Sequence, residues 1–286
     1  NKDIILDLIK ERSINKVFWN NQFGNDEQNR DDTVTRSFKK NDIEFSSYHE
    51  KVIFSPGSIR TAEDKPYSVF TPFKKKWIEN FNLDLLDIEF KYLSKKKTLI
   101  ESNISDFKFK YKRNHSVDMS LWPPGEAHAK DRLKLYLSNK ILRYSQDRND
   151  PIVDGTSRIS AYLANGIISP KRCILEALKM NNFELDTGEK GITKWIDEII
   201  WREFYKNIMF CFPRVSQKKP FQDYTNKIKW RYEESEIDAW KNGNTGFPII
   251  DSAMKQLKSE GWMHNRLRMV VAMFFTKNML HDWRIG

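Results

Sequence analysis

The chain has 286 residues, of which 39% are hydrophobic and 31% charged, so it can bury one large core or two modest ones. This composition excludes a disordered, fibrous or small disulfide-stapled protein, and no run approaches the roughly 18 apolar residues of a membrane helix. A net charge of +10 favours a polyanionic partner such as nucleic acid, although a Lys-rich composition alone can produce the same balance. The chain starts with neither a signal-peptide pattern nor an initiator Met, so we expect a soluble protein whose natural N-terminus lies upstream.

The cysteines and tryptophans indicate which kinds of chemistry the protein can carry out. Cys173 and Cys211 stand in apolar helical patterns without another Cys or a His at metal-ligand spacing. This predicts reduced thiols, a cytoplasmic location and no metal site. Nine Trp is an unusual number for one chain. Indole rings are normally core residues, but this many raises the alternative that some stack on a ligand or take part in redox chemistry.

The first third of the chain alternates between helical and strand patterns. A helical face over residues 4–9 precedes a short apolar run, 16–19, that is typical of a buried strand. A second helical pattern over 26–41 leads to 51–54, which we predict as another strand. This order predicts a partial Rossmann-like parallel α/β sheet. Two strands are too few for a stable sheet of that kind, so further strands are expected upstream of residue 1.

The pattern changes in the rest of the chain. Residues 82–125 have weak periodicity and carry Lys95-Lys96-Lys97, which is typical of a connection between domains. We therefore predict an α/β domain over 1–81, a linker over 82–125 and an all-α domain over 126–286. The last range holds 27 basic and 20 acidic side chains, against 22 and 19 before it. Most of the excess positive charge therefore lies in the helical part. Helices are expected from about Pro72, with Trp77 on the following face, and near 126–145, 157–164, 170–180, 192–211, 246–259 and 262–281.

A first motif spans residues 154–160, Asp-Gly-Thr-Ser-Arg-Ile-Ser, at the opening of a predicted helix. Backbone N–H groups at a helix start, together with hydroxyls and one guanidinium, make a good cradle for phosphate. The alternative is an ordinary helix N-cap, with Thr156 or Ser157 as the cap residue. The common phosphate-loop, dinucleotide-loop and serine-hydrolase motifs are absent from the sequence.

A second motif spans residues 195–205 and places Trp195, Glu198, Arg202 and Tyr205 on one helical face. Aromatic rings and a carboxylate on one face suit a flat heterocycle, because indoles stack on its faces and the carboxylate accepts from its ring N–H groups. The alternative is a half-buried helix in which Glu198 and Arg202 form an ordinary i,i+4 ion pair.

A third motif spans residues 261–269, Gly-Trp-Met-His-Asn-Arg-Leu-Arg-Met, ahead of a long apolar run. Its two Arg and its Asn would be costly to bury unless a ligand or partner carboxylates satisfy them. His264 is best explained as a satisfied structural residue. Taken singly, Trp230 and Trp283 would be interpreted as core residues.

Together these motifs resemble the photolyase and cryptochrome family, and specifically the bacterial enzymes that repair cyclobutane pyrimidine dimers in DNA. The resemblance covers nearly the whole chain and includes 124–148, 201–205, 245–251 and 282–284. It implies an N-terminal α/β antenna domain, a linker and a helical domain that holds FAD beneath a DNA-binding surface, in a monomer without membrane contact. Because the family sequence continues at both ends, this segment alone is expected to bind FAD weakly and to be inactive.

The resemblance also implies roles for single residues. Glu198 would hydrogen-bond the thymine ring and stabilise the anion radical of the dimer after light-driven electron transfer from reduced FAD, and Asn265 would lie near the flavin N5. Trp230 and Trp283 would be the outer members of a tryptophan chain that photoreduces the flavin. Contacts to FAD are implied for Tyr144, Thr156, Ser157, Arg158, Ile159, Ser160, Trp195 and Arg268. Contacts to DNA are implied for Arg148, Glu198, Trp201, Arg202, Tyr205, Asn265, Arg266 and Met269.

A second cofactor is implied at Asp26 and Glu27, where family members that bind a folate antenna place an Asn and a Glu. We expect 5,10-methenyltetrahydrofolate, although Asp26 and Gln217 depart from the family pattern. Two other functions stay open, a cryptochrome-type flavin photoreceptor without repair activity and a non-enzymatic basic DNA-binding module. By resemblance, Asn265 and Trp201 favour repair over signalling, and a binding module would leave the 154–160 motif without a purpose.

Overall fold

The computed structural model describes residues 2–86 and 117–286, which form two compact units. Within those ranges the first unit consists of 2–86 and 124–229, and the second of 117–123 and 230–286. Most of the predicted linker, including Lys95-Lys96-Lys97, lies outside the described residues. No helix in the part of the chain that the structure describes is long and apolar enough to cross a membrane.

Both units consist mainly of helices. In the second unit, the last α-helix continues directly into a π-helical turn, Phe274–Asn278. The first unit contains α1 (Lys2–Glu11), β1 (Lys16–Asn20), α2 (Asn25–Lys40), β2 (Glu44–Tyr48), α3 (Phe70–Asn80), α4 (Glu126–Asn139), α5 (Tyr144–Asp147), α6 (Ser160–Ala164), α7 (Pro170–Met180) and α8 (Lys190–Cys211). The second unit contains α9 (Glu234–Asn242), α10 (Pro248–Glu260) and α11 (Asn265–Met273).

The two strands and the helix between them form a parallel βαβ unit, as the sequence predicts. β1 and β2 run parallel, in a register that pairs Lys16 with Glu44. Phe38 of α2 packs edge-on against Trp19 of β1, with ring centroids 5.9 Å apart, and so anchors the helix to the sheet. The prediction that β1 is a buried strand is wrong in part, because Phe18 is 60% exposed.

The second strand does not lie where the sequence predicts it. Residues 51–54 form no strand, whereas β2 is the less apolar segment Glu-Phe-Ser-Ser-Tyr. The apolar run is nevertheless buried, since Val52 and Ile53 are 1% and 7% exposed. The N–H groups of Ile53 and Phe54 donate to the carboxylate of Glu203, at 2.6 and 3.0 Å, and not to a neighbouring strand. The apolar pattern therefore predicted burial correctly but not strand pairing.

Three side chains of α8 bind the backbone of the segment 51–57, and we call Arg202, Glu203 and Asn207 the backbone-binding row. Arg202 donates to one carbonyl of the segment, Glu203 accepts from two of its N–H groups, and Asn207 accepts from a third at 2.8 Å. Glu203 also accepts from the indole N–H of Trp77 on α3, at 2.9 Å. Burial raises the pKa of the Glu203 carboxyl, although the hydrogen bonds that it accepts oppose this shift. The row thus fixes a loop that has no regular hydrogen bonding of its own.

The second unit has its own apolar core, formed by α9, α10, α11 and the π-helical turn. α9 was not predicted, because it opens with charged residues and presents only Ile237 and Trp240 as buried residues. Asp251 in the first turn of α10 accepts from the N–H and the hydroxyl of Thr245, at 2.8 and 2.6 Å, and these bonds lower its pKa. The buried core members are Ile237, Trp240, Ile250, Ala253, Met254, Met263, Val271 and Phe275.

Candidate functional site

The predicted phosphate cradle forms a loop between α5 and α6 in the first unit. Its glycine, Gly155, is buried. A Cβ atom at that position would lie 2.5 Å from the Cβ of Asp147 on α5. Only glycine allows so close an approach, and the loop is therefore held against α5.

The hydroxyl groups of this loop do not cap α6. The helix begins at Ser160, and its N-cap residue, Ile159, has no side-chain acceptor. The alternative interpretation of Thr156 or Ser157 as the cap is therefore wrong. Arg158 has a φ of +48°, in the left-handed region that residues other than glycine rarely adopt. Thr156, Ser157 and Arg158 are all half-exposed, so a ligand can reach their side chains.

Two of the predicted FAD contacts, Trp195 and Tyr144, lie beside one buried ring, and a third, Ser157, is hydrogen-bonded to Trp195. The indole N–H of Trp195 on α8 donates to the hydroxyl of Ser157, at 3.2 Å. The ring of Tyr136 on α4 lies between Trp195 and Tyr144, with centroid distances of 5.7 and 6.3 Å. The sequence pattern did not single out Tyr136, because it stands on the apolar face of its helix like a core residue. Its buried hydroxyl has no hydrogen-bond partner among the residues that the structure describes.

The residues of this region fit a cofactor rich in oxygen atoms. The loop offers two half-exposed hydroxyls and one guanidinium, and Tyr136 adds a buried hydroxyl that still needs an acceptor. FAD carries a diphosphate and a polyhydroxyl chain, which supply acceptors of the kind these donors require. The donor set therefore fits the chemistry of FAD, and the contacts of Ser157, Arg158 and Trp195 with that cofactor stay a prediction.

An ion pair joins Glu198 of α8 to Arg148 at the end of α5. Their side chains approach to 2.7 Å, and the carboxylate is 30% exposed, so a substrate can reach it. The alternative interpretation, an i,i+4 pair between Glu198 and Arg202, is therefore wrong. Arg202 donates to the backbone carbonyls of Lys51 and Leu163. The Arg202 guanidinium is therefore already bound by two carbonyls, and its contact with DNA stays a prediction.

An aromatic stack stands one turn further along α8. Trp201 lies nearly parallel to Phe70, with ring centroids 3.6 Å apart and an angle of 9° between planes. Tyr205 stacks at 5.6 Å from Trp201 and is 59% exposed. α8 therefore presents the Glu198 carboxylate and an exposed aromatic surface on neighbouring turns, which suits a flat base with polar edges.

The start of α11 carries the predicted contacts of the second unit. His264 is buried and acts as the N-cap, because its Nδ1 accepts from the N–H of Arg266 at 3.2 Å. Through its Nδ1 the histidine therefore has a structural role as a helix cap. Arg268 donates to a preceding backbone carbonyl at 3.0 Å, and partial burial lowers its pKa. Asn265 and Met269 are exposed on the same helix, where a ligand can reach them.

Two family models match separate parts of the chain. The model described as the FAD binding domain of DNA photolyase matches residues 195–286, and the model described as DNA photolyase matches residues 1–91. The chain belongs to the DNA photolyase family. The first match contains Glu198, Trp201 and all of α11, and the second contains the βαβ unit of this photolyase chain.

The similar proteins extend the match over nearly the whole photolyase chain. The deoxyribodipyrimidine photo-lyase of Escherichia coli (strain K12) is 35% identical over 284 residues, which are 99% of this chain and 59% of that protein. A solved class III photolyase from Agrobacterium tumefaciens is 29% identical, with a TM-score of 0.83 over 99% of this chain and 58% of its own. A Synechocystis sp. PCC6803 cryptochrome shares the fold, with 18% identity and a TM-score of 0.76 over 99% of this chain and 59% of its own. The chain thus spans about three-fifths of the length of the relatives it matches.

The two tryptophans that the resemblance assigns to an electron relay are not fully buried. Trp230 is half-buried, and Trp283 is 39% exposed, with the guanidinium of Arg284 lying 4.9 Å from its ring centroid. The interpretation of Trp283 as a core residue is therefore wrong. The buried indole of this unit is Trp240, whose ring lies 4.5 Å from that of Phe275.

The predicted antenna residues of the photolyase chain, Asp26 and Glu27, are exposed in the first turn of α2. The N–H of Asn25, at the start of the same turn, donates to the hydroxyl of Ser216 at 2.9 Å. Ser216 precedes Gln217, which like Asp26 departs from the antenna pattern of the family. This bond places the first turn of α2, with Asp26 and Glu27, near the segment that contains Gln217. The antenna role of these residues and the identity of the ligand stay predictions.

Proposed function

We propose that the chain is the larger part of a deoxyribodipyrimidine photolyase, a carbon–carbon lyase that uses light to reverse cyclobutane pyrimidine dimers in DNA. The observation that supports this most is the arrangement of contacts on α8. Trp195 holds the cradle through Ser157, and Glu198, three residues later, pairs with Arg148 at 2.7 Å. A cofactor contact and a substrate contact are thus separated by about 4.5 Å along one helix.

The chemistry requires little covalent work from the protein. When bound, reduced FAD supplies, after absorbing light, one electron that opens both cyclobutane bonds of the dimer and then returns, so no net oxidation occurs. Glu198 accepts a hydrogen bond from a thymine ring N–H and fixes the orientation of the dimer. Arg148 offsets the negative charge of that carboxylate, which would otherwise repel the negative charge that develops on the dimer.

A dimer inside a duplex reaches such a site only after it is extruded from the helix. Extrusion exposes the flat faces of the bases, and the stack of Trp201 and Tyr205 offers a matching aromatic surface. Arg266 and the exposed Met269 on α11 provide, respectively, a phosphate contact and an apolar contact. The net charge of +10 supports a polyanionic partner of this kind.

The finer parts of the proposal are supported by family resemblance. Residues 1–81 form part of a Rossmann-like antenna domain, 82–125 a linker and 126–286 a helical FAD- and DNA-binding domain. 5,10-Methenyltetrahydrofolate serves as antenna, and the protein works as a monomer in the cytoplasm, where its DNA substrate lies. Trp230 and Trp283 relay electrons to oxidised flavin, and the remaining flavin contacts are Tyr144, Thr156, Ile159, Ser160, Asn265 and Arg268.

A cryptochrome-type photoreceptor is the second candidate, because the Synechocystis cryptochrome has the same fold. A photoreceptor binds FAD but makes no contact with a lesion. The Arg148–Glu198 pair beside an exposed aromatic stack would then have no ligand to recognise. This pair therefore favours repair.

Illumination separates the two candidates. The protein at its natural length, loaded with reduced FAD, should restore the ultraviolet absorbance of thymine in a dimer-containing oligonucleotide, because ring opening re-forms the conjugated double bonds. The same sample kept in the dark should show no recovery. Dimers that persist under light, in a protein that holds reduced FAD and binds the oligonucleotide, would contradict repair and support the photoreceptor.

A further inference from the structure

The hydroxyl of Tyr136 is a buried polar group that the packing of the fold does not require. The side chain is 3% exposed, and its neighbours on the same face of α4, Leu133 and Leu137, are buried apolar residues. A phenylalanine would fill this position equally well. Among residues 2–86 and 117–286 no atom pairs with the hydroxyl in a hydrogen bond, which is an unfavourable state for a buried donor.

The neighbours of Tyr136 are the residues that the proposed function assigns to FAD. Its ring lies 5.7 Å from that of Trp195, whose N–H holds Ser157, and 6.3 Å from that of Tyr144, nearly perpendicular to it. The guanidinium of Arg148 lies 5.4 Å from the Tyr144 ring. The unpaired hydroxyl therefore stands within the cluster that borders the cradle, and not in a remote part of the core.

We propose that the Tyr136 hydroxyl donates a hydrogen bond to an oxygen of the ribityl–diphosphate chain of bound FAD. This inference rests on the proposed FAD site and adds a contact that no sequence motif indicates. Burial raises the pKa of the phenol far above its ordinary range, so the group remains a proton donor at every physiological pH. The phosphate and hydroxyl oxygens of that chain are strong acceptors, and a charged phosphate makes the stronger bond.

The substitution Tyr136→Phe tests this contact, because it removes one oxygen and keeps the ring. In the protein at its natural length we expect FAD to bind about tenfold more weakly, as measured by fluorescence titration of the stripped protein. We also expect the FAD-free variant to unfold at the same or a higher temperature than the FAD-free wild type, because the change removes an unsatisfied buried donor. A purely structural hydroxyl would produce the opposite change in thermal stability.

Tyr224→Phe is the matched control, because Tyr224 is 70% exposed and the chemical change is the same. It should alter neither FAD affinity nor the unfolding temperature. Equal FAD affinities of wild type and Tyr136→Phe, or a lower unfolding temperature of the FAD-free variant, would overturn the proposed contact alone. A wild type that does not bind FAD would overturn the proposed cofactor as well, so the two failures are distinguishable.

Discussion

Replacing Glu198 by alanine is expected to slow light-dependent dimer repair by about tenfold to a hundredfold at saturating substrate. The variant loses the proposed acceptor for the thymine N–H. It also leaves the Arg148 guanidinium, which lies 2.7 Å from the carboxylate in the wild type, without its acidic partner. A hydrogen bond to a charged group contributes about 1.5–3 kcal/mol, which corresponds to rate factors of this size. The measurement is the initial rate of absorbance recovery under constant illumination, with reduced FAD held at a fixed occupancy.

Two further variants make the Glu198 experiment specific. Glu198→Gln keeps one acceptor oxygen but loses the charge, so it should fall between the wild type and Glu198→Ala. Glu176→Ala is the control, because Glu176 also pairs with arginine, through Arg172 at 2.9 Å, but stands on α7 outside the proposed site. Repair at the wild-type rate in Glu198→Ala would remove this carboxylate from the mechanism.

Replacing Glu203 by alanine is expected to lower the free energy of unfolding by about 3–5 kcal/mol. The carboxylate is buried and accepts from the N–H groups of Ile53 and Phe54 and from the indole of Trp77. Alanine would leave three donors unsatisfied and would open a cavity between α8, α3 and the segment 51–57. The melting temperature should fall by about 10 °C, measured by circular dichroism.

The pH dependence of stability gives a second test of Glu203. Because its folded-state pKa is raised, the stability that the protonated carboxyl contributes is complete below its ordinary value of 4.5 and is lost as the pH rises through the folded-state pKa. Glu203→Gln cannot ionise and should lack this decline. Glu176→Ala, which removes a half-exposed ion pair, should change the free energy of unfolding by no more than about 1 kcal/mol. A Glu203→Ala protein as stable as that control would show that the backbone-binding row does not fix the loop.

The sequence predicted those parts of the fold whose signal is local. The period of α8, the βαβ order and the glycine of the cradle can all be read over a few consecutive residues. β2 was misplaced because Glu-Phe-Ser-Ser-Tyr lacks an apolar alternation and becomes a strand only by pairing with β1. The apolar run 51–54 was misassigned because its backbone partners are side chains of α8, far away in the chain.

For the site residues too, local features were predicted and long-range contacts were not. The motif placed Trp195, Glu198 and Trp201 correctly on one helix. The alternative that it left open, a pair of Glu198 with Arg202 at i,i+4, is wrong, because the partner is Arg148 from the end of α5. Long-range ion pairs of this kind leave no local pattern. Tyr136 escaped notice for another reason. A single hydroxyl on an apolar helix face has the periodicity of a core residue, and only the folded structure shows that the hydroxyl lacks a partner.

The excited-state lifetime of reduced FAD in the natural-length protein would test whether flavin and dimer are partners in electron transfer. Transfer to the dimer adds a decay route, so the lifetime should shorten when dimer-containing DNA binds. Undamaged DNA of the same sequence should leave it unchanged. A lifetime that stays constant with the dimer demonstrably bound would contradict repair by electron transfer from FAD at this site.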